Sequence, residues 1–155
     1  MTGGQTLVLA RLFDFVTRQL HLIGHRNGLY PVQWTLLRYL DEMPADHRTA
    51  SAMARYHQFS TGAVTRSVRA LIQKGLVAKQ KGLGHHRSEM LTLTDAGKAL
   101  LADDPLLILA RALADVDAAE ASALTAVLPR ILAAIQHEAH GGDEEGLSAF
   151  PALQP

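Results

Sequence analysis

The stretch from Ser60 to Gly75, STGAVTRSVRALIQKG, constrains this chain more than any other. Ser60 is a good N-cap, because its hydroxyl can accept from an otherwise unpaired amide of the first turn. Gly75 supplies the stop at the other end. Between them the residues sort by phase. At about 100° per residue, Val68, Leu71 and Ile72 fall within about 80° of Val64. Gly62, Arg66, Arg69 and Gln73 fall on the opposite side. One face is built to pack. The other carries two guanidiniums, an amide and a small residue. A short helix over 49–57, packing through Ala52, Met53 and Tyr56, precedes it, with a tight break at Gln58-Phe59. Two helices joined this way form a helix-turn-helix pattern. In such a unit the N-terminal half of the second helix reaches base edges, where Arg can bond guanine with two parallel hydrogen bonds. Thr61 and Thr65 are suited to bases or phosphates, and Gly62 to close backbone approach.

After Gly75 the pattern changes. Residues 76–80, LVAKQ, read as a strand, and Met90, Leu91 and Leu93 as its return. Lys81 to Arg87 between them is Gly-rich and basic, and too long for a two-residue turn, so it should project. A helix-turn-helix followed by a basic hairpin is a winged helix. Arg87 near the tip is placed for the minor groove, where negative potential is focused. Lys79, Lys81, His85 and His86 are placed for phosphates. Charge agrees with this reading. The chain is neutral, with fifteen Lys or Arg and fifteen Asp or Glu, yet Arg48 to Arg87 holds eight basic residues and no acidic one. Such a block creates a local positive field on a neutral molecule.

The flanks are helical. Leu9, Leu12, Phe13, Val16, Leu20 and Ile23 form a stripe of helical period over 5–27, with Asn27-Gly28 expected to end it. Pro31 suits the first turn of a second helix, whose stripe is Val32, Leu36, Leu37 and Leu40 and which Met43-Pro44 should close. Thr94-Asp95 opens another helix, and Asp103-Asp104-Pro105 kinks or ends it. Asp117 and Glu120 have capping-box spacing ahead of a last helix with Leu124, Leu128, Ile131, Leu132 and Ile135 on one face. Pro129 predicts a kink in that helix, and Gly141-Gly142 its end. Residues 141–155 read as a flexible tail.

Several function classes are excluded. With no cysteine, thiolate nucleophiles, disulfides and Cys-type zinc sites are absent. No Walker loop, nucleophile elbow or HExxH motif occurs, so no enzyme is expected. No cofactor is expected, and no metal site. His21 and His25 (i, i+4) and His137 and His140 (i, i+3) do share helical faces, but two imidazoles are not a complete site. Apolar runs look too short for a membrane span, and nothing reads as a signal peptide, so a cytoplasmic location is expected.

Three segments carry a family resemblance: LYPVQWTLLRYL at 29–40, STGAVTRSVRALIQKGLVAKQ at 60–80 and HHRSEMLTLTDAGKALL at 85–101. In this order they resemble the multiple-antibiotic-resistance regulator (MarR) family, over roughly residues 5–138. The resemblance implies a mainly α fold with a small β-hairpin wing, that is, a winged helix-turn-helix with an intertwined helical dimerisation region. Residues 29–104 would form the DNA-binding unit, and 1–28 with 105–140 the dimerisation region. It further implies a homodimer on a pseudo-palindromic double-stranded DNA operator, most often as a repressor, released when a small phenolic or aromatic acid binds between the two regions. The implied DNA contacts are Ser60, Thr61, Gly62, Thr65, Arg66, Arg69, Gln73, Lys79, Lys81, His85, His86 and Arg87. His21, His25, Tyr30, Trp34 and Arg38 would line an effector site, with Arg38 holding a carboxylate. Two positions depart from the family pattern. His85 stands where an Asp usually orients the wing Arg, and Tyr30 stands at the usual Thr cap of the second helix. Two alternatives accompany this reading: a winged-helix module that binds protein rather than specific DNA, and a metal-responsive regulator of the same fold.

Overall fold

The computed structural model describes residues 2–80 and 89–139. Seven α-helices and one hairpin follow in the order α1 (Gly3–Ile23), α2 (Pro31–Glu42), α3 (Ala50–His57), α4 (Thr61–Gln73), β1 (Val77–Gln80), β2 (Met90–Leu93), α5 (Asp95–Leu100), α6 (Leu106–Leu113) and α7 (Ala118–Ala139). Single 3₁₀ turns at Ala45–His47 and Leu101–Asp103 link α2 to α3 and α5 to α6. The architecture is mainly α with a two-stranded wing.

Local chemistry starts most helices. Thr49 and Ser60 accept from the backbone N–H of Ala52 and Ala63 at 3.1 and 3.3 Å. Thr94 accepts from Gly97 N–H at 3.1 Å, and Asp117 Oδ1 from Ala119 and Glu120 at 2.8 and 2.9 Å. Glu120 closes the box by accepting from Asp117 N–H at 3.4 Å. The start of α2 is different. Pro31 takes the first position, the Tyr30 phenol caps nothing, and Gln33 Oε1 accepts from Tyr30 N–H at 3.0 Å instead.

The expected end of α1 is corrected. The helix stops at Ile23, not at Asn27-Gly28, and Gly24 caps it. A Cβ on Gly24 would lie 2.8 Å from Pro31 Cγ, so the chain turns where a glycine lets α2 pack close. Asn27 and Gly28, with φ of 53° and 68°, form the following corner.

The core lies between α2, α3, α4 and the hairpin. Its fully buried large side chains are Trp34, Leu36, Leu37, Leu40, Met53, Val64 and Leu71. Each such side chain contributes about 1.5–3 kcal/mol over an exposed one. Tyr39 is buried too, and its hydroxyl donates to the His47 carbonyl at 2.9 Å. In the hairpin, Val77 pairs with Leu93 and Lys79 with Leu91 in antiparallel register. Leu91 N–H donates to the Arg48 carbonyl at 2.8 Å, so the segment before α3 lies along β2. Thr94 Oγ1 donates to Gly75 O at 2.7 Å, and Thr94 N–H to Leu76 O at 3.1 Å. The end of α4 and the base of the wing are therefore clipped together.

Among the described residues, the buried core apolar side chains all fall between Leu29 and Leu93. By contrast, α1, α6 and α7 bury no residue. Leu12, Phe13 and Val16 on α1 and Leu128, Leu132 and Ile135 on α7 stand exposed in this single chain. The helical assignment of α7 runs unbroken through Pro129. One sequence expectation fails here. By length and composition α7 is apolar enough to cross a bilayer. Counting uninterrupted apolar runs missed this, because alanines spread its hydropathy along the whole helix.

Candidate nucleic-acid interface

The short α3, a left-handed Gln58 (φ 54°, ψ 34°) and the Ser60 cap set α4 across the core. Phe59 N–H donates back to Ala54 O at 3.0 Å, which closes the turn. Val64, Val68 and Leu71 are buried, as the helical phase requires. Thr61, Gly62, Thr65, Arg66, Arg69 and Gln73 are exposed on the outward side. Arg66 and Arg69 make no ion pair or hydrogen bond among the described residues, so both guanidiniums are available. Thr65 Oγ1 donates to Thr61 O at 2.8 Å, which leaves its lone pairs free to accept. Gly62 has helical backbone, and a Cβ there would meet only Arg66 Nη1, at 3.5 Å. Nothing inside the chain requires a glycine at 62.

Beside this face lies a cavity of ≈ 530 Å³ between the start of α3, α4 and the hairpin. Thr61, Thr65, Arg69 and Gln73 line one wall, and Lys79 and Glu89 the other. Lys79 was expected to face phosphate. It instead reaches Glu89 Oε2 at 2.6 Å, with both side chains more than half exposed. The acid-free block ends at Arg87, so this partner sits just beyond it. An exposed pair of this kind is worth about 0–1 kcal/mol and leaves Lys79 readily diverted. Lys81, His85, His86 and Arg87 lie outside the described residues.

The expected effector residues divide. His21, His25 and Tyr30 come together at the α1–α2 corner. The two imidazole Nε2 atoms are 3.3 Å apart, and the His25 ring meets Tyr30 edge-on at 5.3 Å between centroids. Trp34 does not join them. It is 1% exposed in the core, its Nε1 unpartnered. Arg38 is not a free carboxylate receptor either. Its Nη1 donates to Asp104 Oδ1 and Oδ2 at 2.7 and 2.9 Å, and its Nη2 to Thr35 Oγ1 at 3.1 Å. The carboxylate it holds is internal.

Sequence reasoning missed Asp104, which read as helix punctuation. It does punctuate, accepting from Leu106 N–H at 2.8 Å, but it also joins α6 to α2 across 66 residues. No local signal reveals such a pairing. His57 was also missed. It stacks on Phe59 and meets Tyr39 and Tyr56 edge-on, and its Nε2 is buried without a partner. Burial, and secondarily the Arg38 charge, holds its pKa below the ordinary imidazole value. Burial, helped by Tyr56 and opposed by Arg55, raises that of Tyr39. Among the described residues, no three His, Asp or Glu side chains converge as a metal site.

Residues 27–88, from the α1–α2 corner to just before β2, match the sequence model of the MarR family. Over these residues the chain is similar to the MarR family, on a winged-helix fold. A probable transcriptional regulator from Pseudomonas aeruginosa superposes with a TM-score of 0.64 at 22% identity, covering 79% of this chain and 96% of that one. MepR of S. aureus, solved as a DNA complex, gives 0.67 at 16% identity, with 84% and 96% covered. MarR of Staphylococcus aureus, solved with salicylate and kanamycin, gives 0.65 at 19% identity, with 86% and 95% covered. At these identities the structural likeness speaks for the fold. A search of curated sequences finds no significant match. The α1, α6 and α7 helices lie outside the family match, yet the structural superpositions extend well beyond the winged helix.

Proposed function

We propose that this protein is a transcriptional repressor of the MarR type, binding double-stranded DNA sequence-specifically as a homodimer. The observation that carries the reading is the outward face of α4. It presents Arg66 and Arg69 without internal partners, beside Thr61, Gly62 and Thr65, on a helix whose opposite face anchors the core. Such a helix reads bases through its N-terminal half. Gly62 supports the reading, because its missing side chain clears the outward surface and no internal neighbour.

Residues 29–104 form the DNA-binding unit in this proposal, with the wing adding phosphate and minor-groove contacts through Lys81, His85, His86 and Arg87. Residues 1–28 and 105–140 form the dimerisation region. The exposed apolar faces of α1, α6 and α7 support this, since α1 and α7 bury nothing within one chain. A second copy is also the simplest cover for the apolar α7, consistent with a cytoplasmic, non-enzymatic regulator rather than a membrane anchor. Twofold symmetry would place two α4 helices about one DNA turn apart, roughly 34–36 Å. His21, His25 and Tyr30 at the corner between the two regions remain the proposed aromatic-acid site, without Trp34 and without Arg38 as carboxylate receptor.

Selection of bound duplexes from random DNA tests the proposal. A pseudo-palindromic consensus is expected, with binding that falls steeply as salt rises. Arg66→Ala should weaken binding by about 1–3 kcal/mol and relax one position in each half-site. No preference among duplexes at low salt would refute the function, and an unchanged consensus would remove Arg66 from base reading.

A further inference from the structure

The geometry points to a metal-binding chelate formed by His21 and His25, taking a divalent late first-row ion, zinc foremost. The two residues lie one turn apart where α1 ends, and both are exposed. Their Nε2 atoms face each other at 3.3 Å, with the rings nearly perpendicular. Zinc–imidazole bonds are about 2.0–2.1 Å and the preferred arrangement is tetrahedral, so two ligating nitrogens stand about 3.3–3.4 Å apart. The observed separation, that of a hydrogen-bonded imidazole pair, falls at this distance, so little movement is needed to admit an ion.

Protons satisfy this pair poorly. In neutral imidazoles one Nε2–H can donate to the other, and the pair then shares a single bond. A metal ion uses both lone pairs at once. Late first-row ions favour imidazole, whereas Mg²⁺ and Ca²⁺ favour oxygen. The remaining positions would be filled by water, because no third protein ligand converges among the described residues. The site is therefore an accessible, exchangeable one rather than a structural zinc.

Its place gives it consequence. Gly24, between the two histidines, has no room for a Cβ against Pro31, so the last turn of α1 is seated directly on α2. A metal bridging residues 21 and 25 fastens that turn. It stiffens the corner where the α1 helix hands the chain to the winged helix. The inference stands independently of DNA binding.

Zinc titration of the full chain tests it, followed by calorimetry and by the imidazole ¹⁵N resonances. One Zn²⁺ per protomer should bind with the His21 and His25 Nε2 signals moving together. Amide exchange should slow over residues 21–25. Removing a direct ligand should cost at least the about 10–100-fold that removing a supporting partner costs at metal sites. His21→Gln and His25→Gln should thus each weaken this site by about tenfold or more, with unchanged circular dichroism because both side chains are exposed. His137→Gln/His140→Gln should leave it intact. Zinc affinity that survives either single variant, or follows the 137/140 pair, overturns the assignment. So does the absence of His21 and His25 shifts at millimolar zinc.

Discussion

The Arg38–Asp104 pair offers the sharpest test of how the winged helix is held to the helices that follow it. Asp104 is 7% exposed and the Arg38 side chain 25%, and one guanidinium nitrogen meets both carboxylate oxygens. Two unit charges at about 4 Å attract by about 4 kcal/mol at an effective dielectric of about 20. Desolvation offsets much of that, so the net worth of the intact pair is modest. Breaking it is costlier, because Arg38, only a quarter exposed, keeps its charge without its partner; for fully buried pairs the loss is about 3–5 kcal/mol, and the partial exposure of Arg38 reduces that share. Asp104→Ala also removes the acceptor for Leu106 N–H, a loss of about 1–3 kcal/mol if that amide stays dry. We therefore expect Asp104→Ala to destabilise by about 3–5 kcal/mol, a large part of the roughly 5–15 kcal/mol that holds a domain. Asp104→Asn keeps the Leu106 acceptor and should cost less, about 1–3 kcal/mol. Urea unfolding at pH 7 and fixed protein concentration gives the values, because the stability of any associating protein depends on its concentration. A double-mutant cycle with Arg38→Met isolates the pair, and its coupling should reach about 1.5–3 kcal/mol. Coupling below about 0.5 kcal/mol would show that the pair is merely adjacent and refute the reasoning.

Other consequences follow from single positions. Gly97→Ala would place a Cβ 2.1 Å from the Leu76 carbonyl oxygen, at the clip between wing and α5, so a loss of at least about 1–3 kcal/mol in unfolding free energy is expected. Gly62→Ala should do the reverse, raising stability by up to about 1 kcal/mol through helix propensity while lowering operator affinity in a gel-shift titration. His57 has its pKa lowered by burial and by Arg38, so the unfolded chain binds the proton more readily. The stability this histidine contributes is complete above about pH 6.5, its unfolded value, and declines as pH falls below that. His57→Phe should flatten that acid-side decline in urea midpoints measured between pH 7.5 and 5.5. Val16→Glu or Leu128→Glu, on exposed apolar faces, should give a monomer by sedimentation with the winged-helix core still folded.

Much of the fold was legible because it is local. Ser60, Thr94 and the Asp117–Glu120 box start helices with their own side chains, and the phase of Val64, Val68 and Leu71 names the buried face of α4. The corner after α1 was misread because Asn27-Gly28 has the stronger local stop signal. Only the contact of Gly24 with Pro31 moves the helix end four residues earlier. The site divides the same way. The exposed face of α4 follows from helical period. The diversion of Lys79 to Glu89, the burial of Trp34 and the pairing of Arg38 with Asp104 do not.

The sequence by itself determined the elements, the outward face of α4 and the positive block around it, since caps, period and charge act over a few residues. The tertiary structure alone decided which side chains are spent within the chain and which remain free. That depends on contacts between residues far apart in sequence, where burial makes an unpaired polar group costly, and no local pattern encodes those contacts.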